Sequence, residues 1–128
     1  MKKDYLKILK ELSNNSYSPY SKFQVAAILQ IKDDIIIKGV NVENIAYGET
    51  ICAERVALMQ AYTQGFTKKD LIAIHLYTKI GITPCGSCRQ VMSELLTANC
   101  QVYIYNETEI VGVYKNEQLL PNRFKSIN

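Results

Sequence analysis

The sequence predicts a layered α/β domain whose sheet mixes parallel and antiparallel strands. Two observations lead to this fold class. Strand-like apolar segments alternate with two central helical segments, and the first two strands are joined by a turn too short for a crossover. A chain of 128 residues can bury a core without disulfides, and no repeat or linker divides it. We therefore expect one domain over residues 1–128.

The first half of the chain predicts a helix followed by a hairpin. Apolar side chains recur at helical spacing over residues 4–14, which indicates an amphipathic helix. Residues 17–21 form a turn-rich loop. A buried strand over residues 23–31 and a second over 35–42 are separated by a polar turn at 32–34, so they should pair antiparallel.

The second half predicts two helices and three strands. Thr50 is a candidate N-cap for a helix that runs to residue 64, with Gly65 as its left-handed C-terminal cap. Thr83 as N-cap and Pro84 as first helical residue predict a helix through residue 96. Strands are expected over residues 71–77, 101–105 and 110–114.

Two single residues stand out in this half. His75, the only histidine, lies inside the strand 71–77, so we interpret it as a core or sheet histidine rather than a metal ligand. The tail over residues 119–124 ends in a phenylalanine, Phe124, that should be exposed.

Composition and charge narrow the possible partners. The 15 Lys and Arg residues are scattered and the net charge is only +3, so no nucleic-acid surface is expected. We also expect no targeting segment and no membrane span. These features predict a cytoplasmic protein whose thiols stay reduced. Its four cysteines should then be metal ligands or catalytic groups rather than disulfides.

Three of the cysteines predict a metal site. Cys52 and the pair Cys85 and Cys88 fall near the starts of the two central helices. Unpaired N–H groups and the helix dipole favour thiolates there. Three thiolates from two helix N-termini would hold one Zn²⁺ per subunit and leave its fourth position open, as in catalytic sites.

Charged residues beside these cysteines suggest catalysis. Glu54 lies two residues after Cys52, where it can take a proton from water and pass it on as general base and acid. Three thiolates leave the zinc site with a net negative charge, which Arg55 or Arg89 can offset by hydrogen bonding to a thiolate. A surface ion pair is an equally good interpretation of Arg89.

Alternatives remain open at this stage. A C-x-x-C pair also occurs in redox sites and in structural zinc sites, and Cys100 could close a structural site as fourth ligand. Otherwise Cys100 is a small buried apolar residue.

Asn41 and Glu43 share one face of the predicted second strand and could bind a hydroxyl group as donor and acceptor. A solvated strand end is the simpler explanation of these two residues.

Several motifs together resemble those of the small homotetrameric zinc cytidine deaminases. They are YSPYSKFQVAAIL (17–29), GVNVEN (39–44), AYG and TICAERVAL within 46–58, PCGSCRQV (84–91) and LLPNRF (119–124). The resemblance extends over nearly the whole chain in the family's order. It implies a three-layer α/β/α fold with a mixed five-stranded sheet, and zinc-dependent hydrolytic deamination of cytidine and deoxycytidine in pyrimidine salvage.

The resemblance also implies roles for individual residues. Cys52, Cys85 and Cys88 correspond to zinc ligands, Glu54 to the proton shuttle, and Arg55 to an arginine that hydrogen-bonds the zinc thiolates. The positions implied to contact the nucleoside are Phe23 against the base, Ala53 at the base carbonyl, and Asn41 and Glu43 at the ribose 3′-hydroxyl. The positions implied to reach a neighbouring subunit's site in a homotetramer are Ala46, Tyr47 and Phe124.

Two positions depart from the family pattern. Ala26 stands where many relatives have glycine, and Glu49 stands where an apolar residue is common. Both lie outside the zinc motif, so they bear on substrate preference rather than on the reaction. Other members of the wider superfamily, namely nucleoside-analogue deaminases and polynucleotide-editing deaminases, are the rival functions. A non-enzymatic zinc module is a rival of a different class.

Overall fold

The structure, a computed structural model, describes residues 3–126, so the outermost two residues at each end of the predicted domain lie outside it. The helices are α1 (Tyr5–Ser13), α2 (Ala53–Thr63), α3 (Gly86–Leu95) and α4 (Asn116–Leu119). The strands are β1 (Ala26–Ile31), β2 (Ile35–Val40), β3 (Leu71–Tyr77), β4 (Gln101–Tyr105) and β5 (Ile110–Lys115). Single 3₁₀ turns cover Lys32–Asp34, Tyr47–Glu49 and Lys68–Asp70.

The five strands form one mixed sheet in the order β2-β1-β3-β4-β5. β1 pairs antiparallel with both β2 and β3, β3 pairs parallel with β4, and β4 pairs antiparallel with β5. The parallel pair is connected through α3, as a parallel connection requires a crossover. The predicted mixed sheet and the β1–β2 hairpin are therefore confirmed.

Helices cover both faces of the sheet. Alternate residues of β1 point to opposite sides, so Ala27 and Leu29 join the core shared with α2 and α3, whereas Ala26 and Ile28 join the core under α1. A central strand covered on both faces must be apolar almost throughout, which explains its sequence. The three-layer α/β/α architecture is confirmed. No helix within residues 3–126 combines the length and the apolar character needed to cross a bilayer.

Both strands of the hairpin are shorter than the sequence predicts. β1 begins at Ala26 rather than at residue 23, and β2 ends at Val40 rather than at residue 42. The side chain of Asn41 is the reason: its Nδ2 donates to the Phe23 carbonyl at 2.9 Å and its Oδ1 accepts from the Val25 N–H at 3.0 Å. One backbone bond remains here, from the Asn41 N–H to the Val25 carbonyl at 3.3 Å, and the side-chain bonds of Asn41 take the place of further strand pairing.

His75 is a buried and fully hydrogen-bonded residue of β3, as the sequence predicts. Its ring stacks between Tyr5 of α1, at 3.9 Å between centroids, and Tyr103 of β4, at 4.8 Å. Nε2 lies 3.0 Å from Gln30 Oε1 and Nδ1 lies 2.7 Å from the Tyr105 hydroxyl. Because a carboxamide oxygen only accepts, Nε2 carries the proton and Nδ1 accepts from Tyr105. Burial lowers the pKa of His75 to about 4.

This depressed pKa predicts acid sensitivity of the fold. The His75 contribution is fully present above the unfolded pKa of about 6.5 and is lost as pH falls from there toward about 4. Between about pH 7 and about pH 5 it should lower the free energy of unfolding by roughly 2 kcal/mol. Urea denaturation of wild type and His75→Gln at both pH values measures this. The variant should lose most of that pH dependence, and an unchanged dependence would contradict the assignment.

Candidate zinc centre and active site

Cys52, Cys85 and Cys88 lie together where the starts of α2 and α3 meet. Their Sγ atoms are all within 4.8 Å of one another. Cys52 is the N-cap of α2, Cys85 is the N-cap of α3, and Cys88 lies in the first turn of α3. Two helix N-termini therefore point their positive dipole ends at three sulfur atoms, which favours thiolates.

The predicted helix starts are wrong by two residues. Thr50 and Thr83 are not N-caps, and Pro84 precedes α3 instead of opening it. The threonine hydroxyls have other partners: Thr50 Oγ1 accepts from the Asn44 N–H at 3.2 Å, and Thr83 Oγ1 accepts from Arg89 at 2.7 Å. The cap positions are occupied by the cysteines themselves. At the end of α2, Gly65 has φ +94°, so its predicted left-handed conformation is confirmed.

The thiols of Cys52 and Cys88 influence each other's titration. A hydrogen bond from the Cys88 thiol lowers the pKa of Cys52 to about 7. The same contact, together with burial and the charge of Glu54, raises the pKa of Cys88. Without a cation, the cluster thus favours one thiolate sharing a proton with a thiol. A cation among the sulfurs is what would stabilise three thiolates at this separation.

The donor set fits zinc. Tetrahedral zinc with Zn–S bonds of about 2.3 Å holds its sulfur ligands about 3.8 Å apart. Sulfur atoms within 4.8 Å need only small side-chain rotations to reach that separation. Cys100 is not part of this cluster: it is 3% exposed, with its thiol 3.6 Å from the Ile72 carbonyl, and burial raises its pKa to about 12. Among residues 3–126 the cysteine group therefore offers three ligands, which is typical of catalytic rather than structural zinc.

Glu54 is a buried carboxyl group beside the cysteines. It is the second residue of α2 and 5% exposed. Burial raises its pKa, whereas hydrogen bonds with its own N–H and with the Cys88 thiol act in the opposite direction. A carboxyl group whose pKa is raised by burial is a better proton acceptor than an exposed one. Arg55, the next residue, contributes a positive charge that lowers the pKa of Cys52.

Gly39 helps to position the first turn of α2, although the sequence alone did not single it out. A Cβ at this position would lie 2.6 Å from the Ala53 carbonyl oxygen and 2.7 Å from the Ala57 nitrogen. The first turn of α2, which carries Glu54, thus rests directly on the backbone of β2. A glycine inside a predicted strand is itself a signal of close backbone approach.

Asn41 and Glu43 lie beyond the end of β2, on either side of Val42, so the strand predicted to carry them stops before both. Asn41 is 8% exposed, and its amide is bound to Phe23 and Val25 and to the Ser16 hydroxyl. Glu43 accepts hydrogen bonds at Oε1 from the backbone N–H groups of Tyr20 and Ser21, both at 3.1 Å. Both side chains therefore organise the loop that precedes β1.

Three of the remaining predicted contact residues are exposed, whereas Ala53 is buried directly after Cys52. Tyr47 is 78% exposed and lines a cavity of about 360 Å³ together with Glu43. Phe124 is 75% exposed, and it lines a different cavity of about 440 Å³ beside α3. Ala46 is exposed in the loop before Tyr47, whereas Ala53, the first residue of α2, is fully buried.

Comparison with known proteins identifies the family. Residues 1–104 match the family described as the cytidine and deoxycytidylate deaminase zinc-binding region. The chain belongs to this deaminase family. The resemblance inferred from the motifs is confirmed, and zinc is the metal of the matched region.

Individual deaminases are similar over most of their length. The cytidine deaminase of Halalkalibacterium halodurans is 46% identical over 111 residues, which cover 85% of this chain and 83% of that protein. That of Sporosarcina psychrophila is 37% identical and covers 90% and 85%. The crystal structure of the Burkholderia pseudomallei cytidine deaminase has a TM-score of 0.90 at 38% identity and covers 97% and 100%.

Proposed function

We propose that this protein is a zinc-dependent hydrolase that converts cytidine and deoxycytidine to uridine and deoxyuridine with release of ammonia, in pyrimidine salvage. One observation carries the proposal: the buried carboxyl group of Glu54 lies beside three clustered cysteines, in a chain similar to proteins named cytidine deaminase. The proposal treats residues 1–128 as one domain in the reducing cytoplasm, consistent with four free cysteines.

The chain's residues account for the chemistry as follows. Zinc held by Cys52, Cys85 and Cys88 would supply activation of water as a nucleophile at neutral pH. Glu54 takes one proton from the water while the water oxygen attacks C4 of the cytosine ring. Glu54 then delivers that proton to N3 of the same ring. Glu54 then moves the second proton to the amino group, and the C4–N bond breaks to release ammonia. The ring keeps the proton on N3, so cytidine and water balance uridine and ammonia.

Nucleoside binding is assigned to the loop and helix around this centre. The N–H of Ala53, at the start of α2, would donate to the base carbonyl, because the first N–H groups of a helix lack partners within it. Phe23 would pack against the base. Arg55 would temper the negative charge of the thiolates. Asn41 Nδ2 uses one hydrogen on Phe23, which leaves one for the ribose 3′-hydroxyl.

Glu43 is the acceptor proposed for the same hydroxyl. The hydrogen bond from Ser21 lowers the pKa of Glu43, so the carboxylate stays ionised near neutral pH. Two carboxylate oxygens offer about four acceptor positions. Backbone N–H groups of Tyr20 and Ser21 and the Ser21 hydroxyl occupy three of them, which leaves one for the ribose.

Glu43→Ala should therefore impair nucleosides more than free cytosine. A hydrogen bond to a charged group is worth about 1.5–3 kcal/mol, which corresponds to a loss of roughly 10-fold to 150-fold in kcat/KM on cytidine. Steady-state kinetics on cytidine and cytosine measure the difference. Glu109→Ala, in the exposed turn before β5, is the matched control and should behave as wild type. Equal losses on both substrates would refute the ribose assignment. Asn41 is unsuitable for this test because its loss would also release Phe23.

The proposal includes a homotetramer in which subunits share active sites. Support comes from the exposure of Tyr47 and Phe124, two large side chains that the described residues leave uncovered, and from the exposed Ala46. Their contribution to a neighbouring site would complete each pocket. Gel filtration combined with activity tests this point, because a fully active monomer would contradict it.

The substrate assignment is tested by direct assay. The purified protein is incubated separately with cytidine, deoxycytidine, cytosine and adenosine while ammonia is followed, and zinc is counted per chain. We expect rapid release from the two cytosine nucleosides, slower release from cytosine, and one zinc per chain. Zinc-loaded protein that is inactive on both nucleosides would overturn the proposal.

A further inference from the structure

Arg89 binds three acceptors that surround the entry to α3. Its Nε donates to the Pro84 carbonyl at 2.7 Å, and its Nη2 donates to Thr83 Oγ1 at 2.7 Å. Its Nη1 donates to the Leu119 carbonyl, at the end of α4, at 2.9 Å. These acceptors are neither thiolates nor carboxylates, so Arg89 plays neither of the roles that the sequence suggested.

The segment that Arg89 holds carries Cys85. Residues 78–85 connect β3 to α3 without regular secondary structure. The Pro84 carbonyl belongs to the peptide bond that leads directly into Cys85. Cys85 makes no side-chain cap hydrogen bond to its helix, so ordinary capping does not fix this entry. Arg89 supplies a fixed planar fork of donors instead.

The third acceptor connects this segment to the C-terminal part of the fold. Leu119 is 5% exposed and belongs to the main core. At the other end of α4, Asn116 Nδ2 donates to the Met92 carbonyl of α3 at 2.9 Å. Because Leu119 is buried in the core and Asn116 attaches α4 to α3, the carbonyl that the Arg89 guanidinium contacts is itself held in place. The Arg89 side chain is therefore fixed and can hold the segment that leads into Cys85 in one position.

We infer that Arg89 is a positioning residue for the zinc site: it presets the place of Cys85 relative to Cys52 and Cys88 and so raises zinc affinity without touching the metal. The inference rests on the zinc site of the proposed function. Residues that orient metal ligands typically account for about 10-fold to 100-fold in metal affinity. Arg89→Gln should weaken zinc binding by that factor.

Chelator competition with the full-length protein measures zinc affinity directly, without substrate. Arg89→Lys keeps the positive charge, and its ammonium group can still donate to one of the three acceptors. It should therefore recover part of the zinc affinity. Thr83→Val removes one acceptor with little risk to folding and should weaken zinc binding a few-fold. The matched control is Arg123→Gln, which also removes a guanidinium-to-carbonyl contact with α3, 3.1 Å from Arg123 Nη1 to the Ser93 oxygen. It should bind zinc as wild type does.

Two further measurements separate positioning from general stability. The absorption spectrum of the cobalt-substituted protein reports thiolate geometry and should change in Arg89→Gln. Urea denaturation of the metal-free proteins shows whether any loss of affinity merely follows unfolding. Wild-type zinc affinity and an unchanged cobalt spectrum in Arg89→Gln and Thr83→Val would overturn the inference alone. Failure of the wild type to bind zinc would overturn the zinc site and the inference together.

Discussion

Glu54→Gln should lower kcat on cytidine by at least about three orders of magnitude while the protein keeps its fold and its zinc. Glutamine has nearly the same shape and can still accept a hydrogen bond, but it cannot take up a proton. General acid–base catalysis alone contributes about 10²-fold to 10⁴-fold, and the proposed mechanism uses Glu54 for both proton transfers. Burial raises the pKa of Glu54, which favours proton uptake by its carboxylate. The carboxamide of glutamine has no such titration.

The measurement is single-turnover deamination with zinc content and circular dichroism recorded on the same samples. Glu54→Asp is the informative companion, because it retains a titrating group but moves it back by one methylene. Misplacement by about 1 Å can cost about 10²-fold, so aspartate should retain more activity than glutamine. A Glu54→Gln enzyme that deaminates cytidine at close to the wild-type rate would show that the mechanism is wrong.

The layers of the fold could be predicted because they depend on local patterns. Continuous apolar character in β1 reflects burial on both faces, and the short polar turn before β2 permits only an antiparallel neighbour. The three cysteines and Glu54 could be selected because their spacing relative to two helix starts is also local. Selecting these residues required no knowledge of distant contacts, whereas the meeting of Cys52 with Cys85 and Cys88 is a contact between α2 and α3 that local patterns do not determine.

The parts that could not be predicted depend on contacts between distant residues. Asn41 ends β2 early because its amide binds backbone groups 16 and 18 residues earlier in the chain. Thr83 has the sequence context of an N-cap, but its hydroxyl is bound by Arg89, whose own position depends on Leu119, 30 residues later. Hydrogen bonds made by side chains thus override local preferences at helix and strand ends.

Gly39→Ala should displace the first turn of α2, although residue 39 is neither a proposed zinc ligand nor the proposed proton shuttle. The new Cβ would lie 2.6 Å and 2.7 Å from two backbone atoms of α2, distances that require the helix or β2 to move. Gly39 pairs with Ala27, one residue pair in from the open end of the hairpin, so β2 cannot move without disturbing this pairing. The first turn of α2, with Cys52 and Glu54, should therefore be displaced. Overpacking of this kind costs about 1–3 kcal/mol in unfolding free energy.

The same displacement should impair catalysis. A displacement of about 1 Å of Glu54 relative to Cys88 should reduce kcat/KM on cytidine by about a hundredfold, and zinc affinity should fall as well. Gly86→Ala is the matched control, because it also adds one methyl group at the zinc site but has no atom within 4 Å of the new Cβ. Steady-state kinetics on cytidine, urea denaturation and chelator competition on both variants should show losses for Gly39→Ala alone. If Gly39→Ala equals wild type in all three, β2 does not set the position of α2.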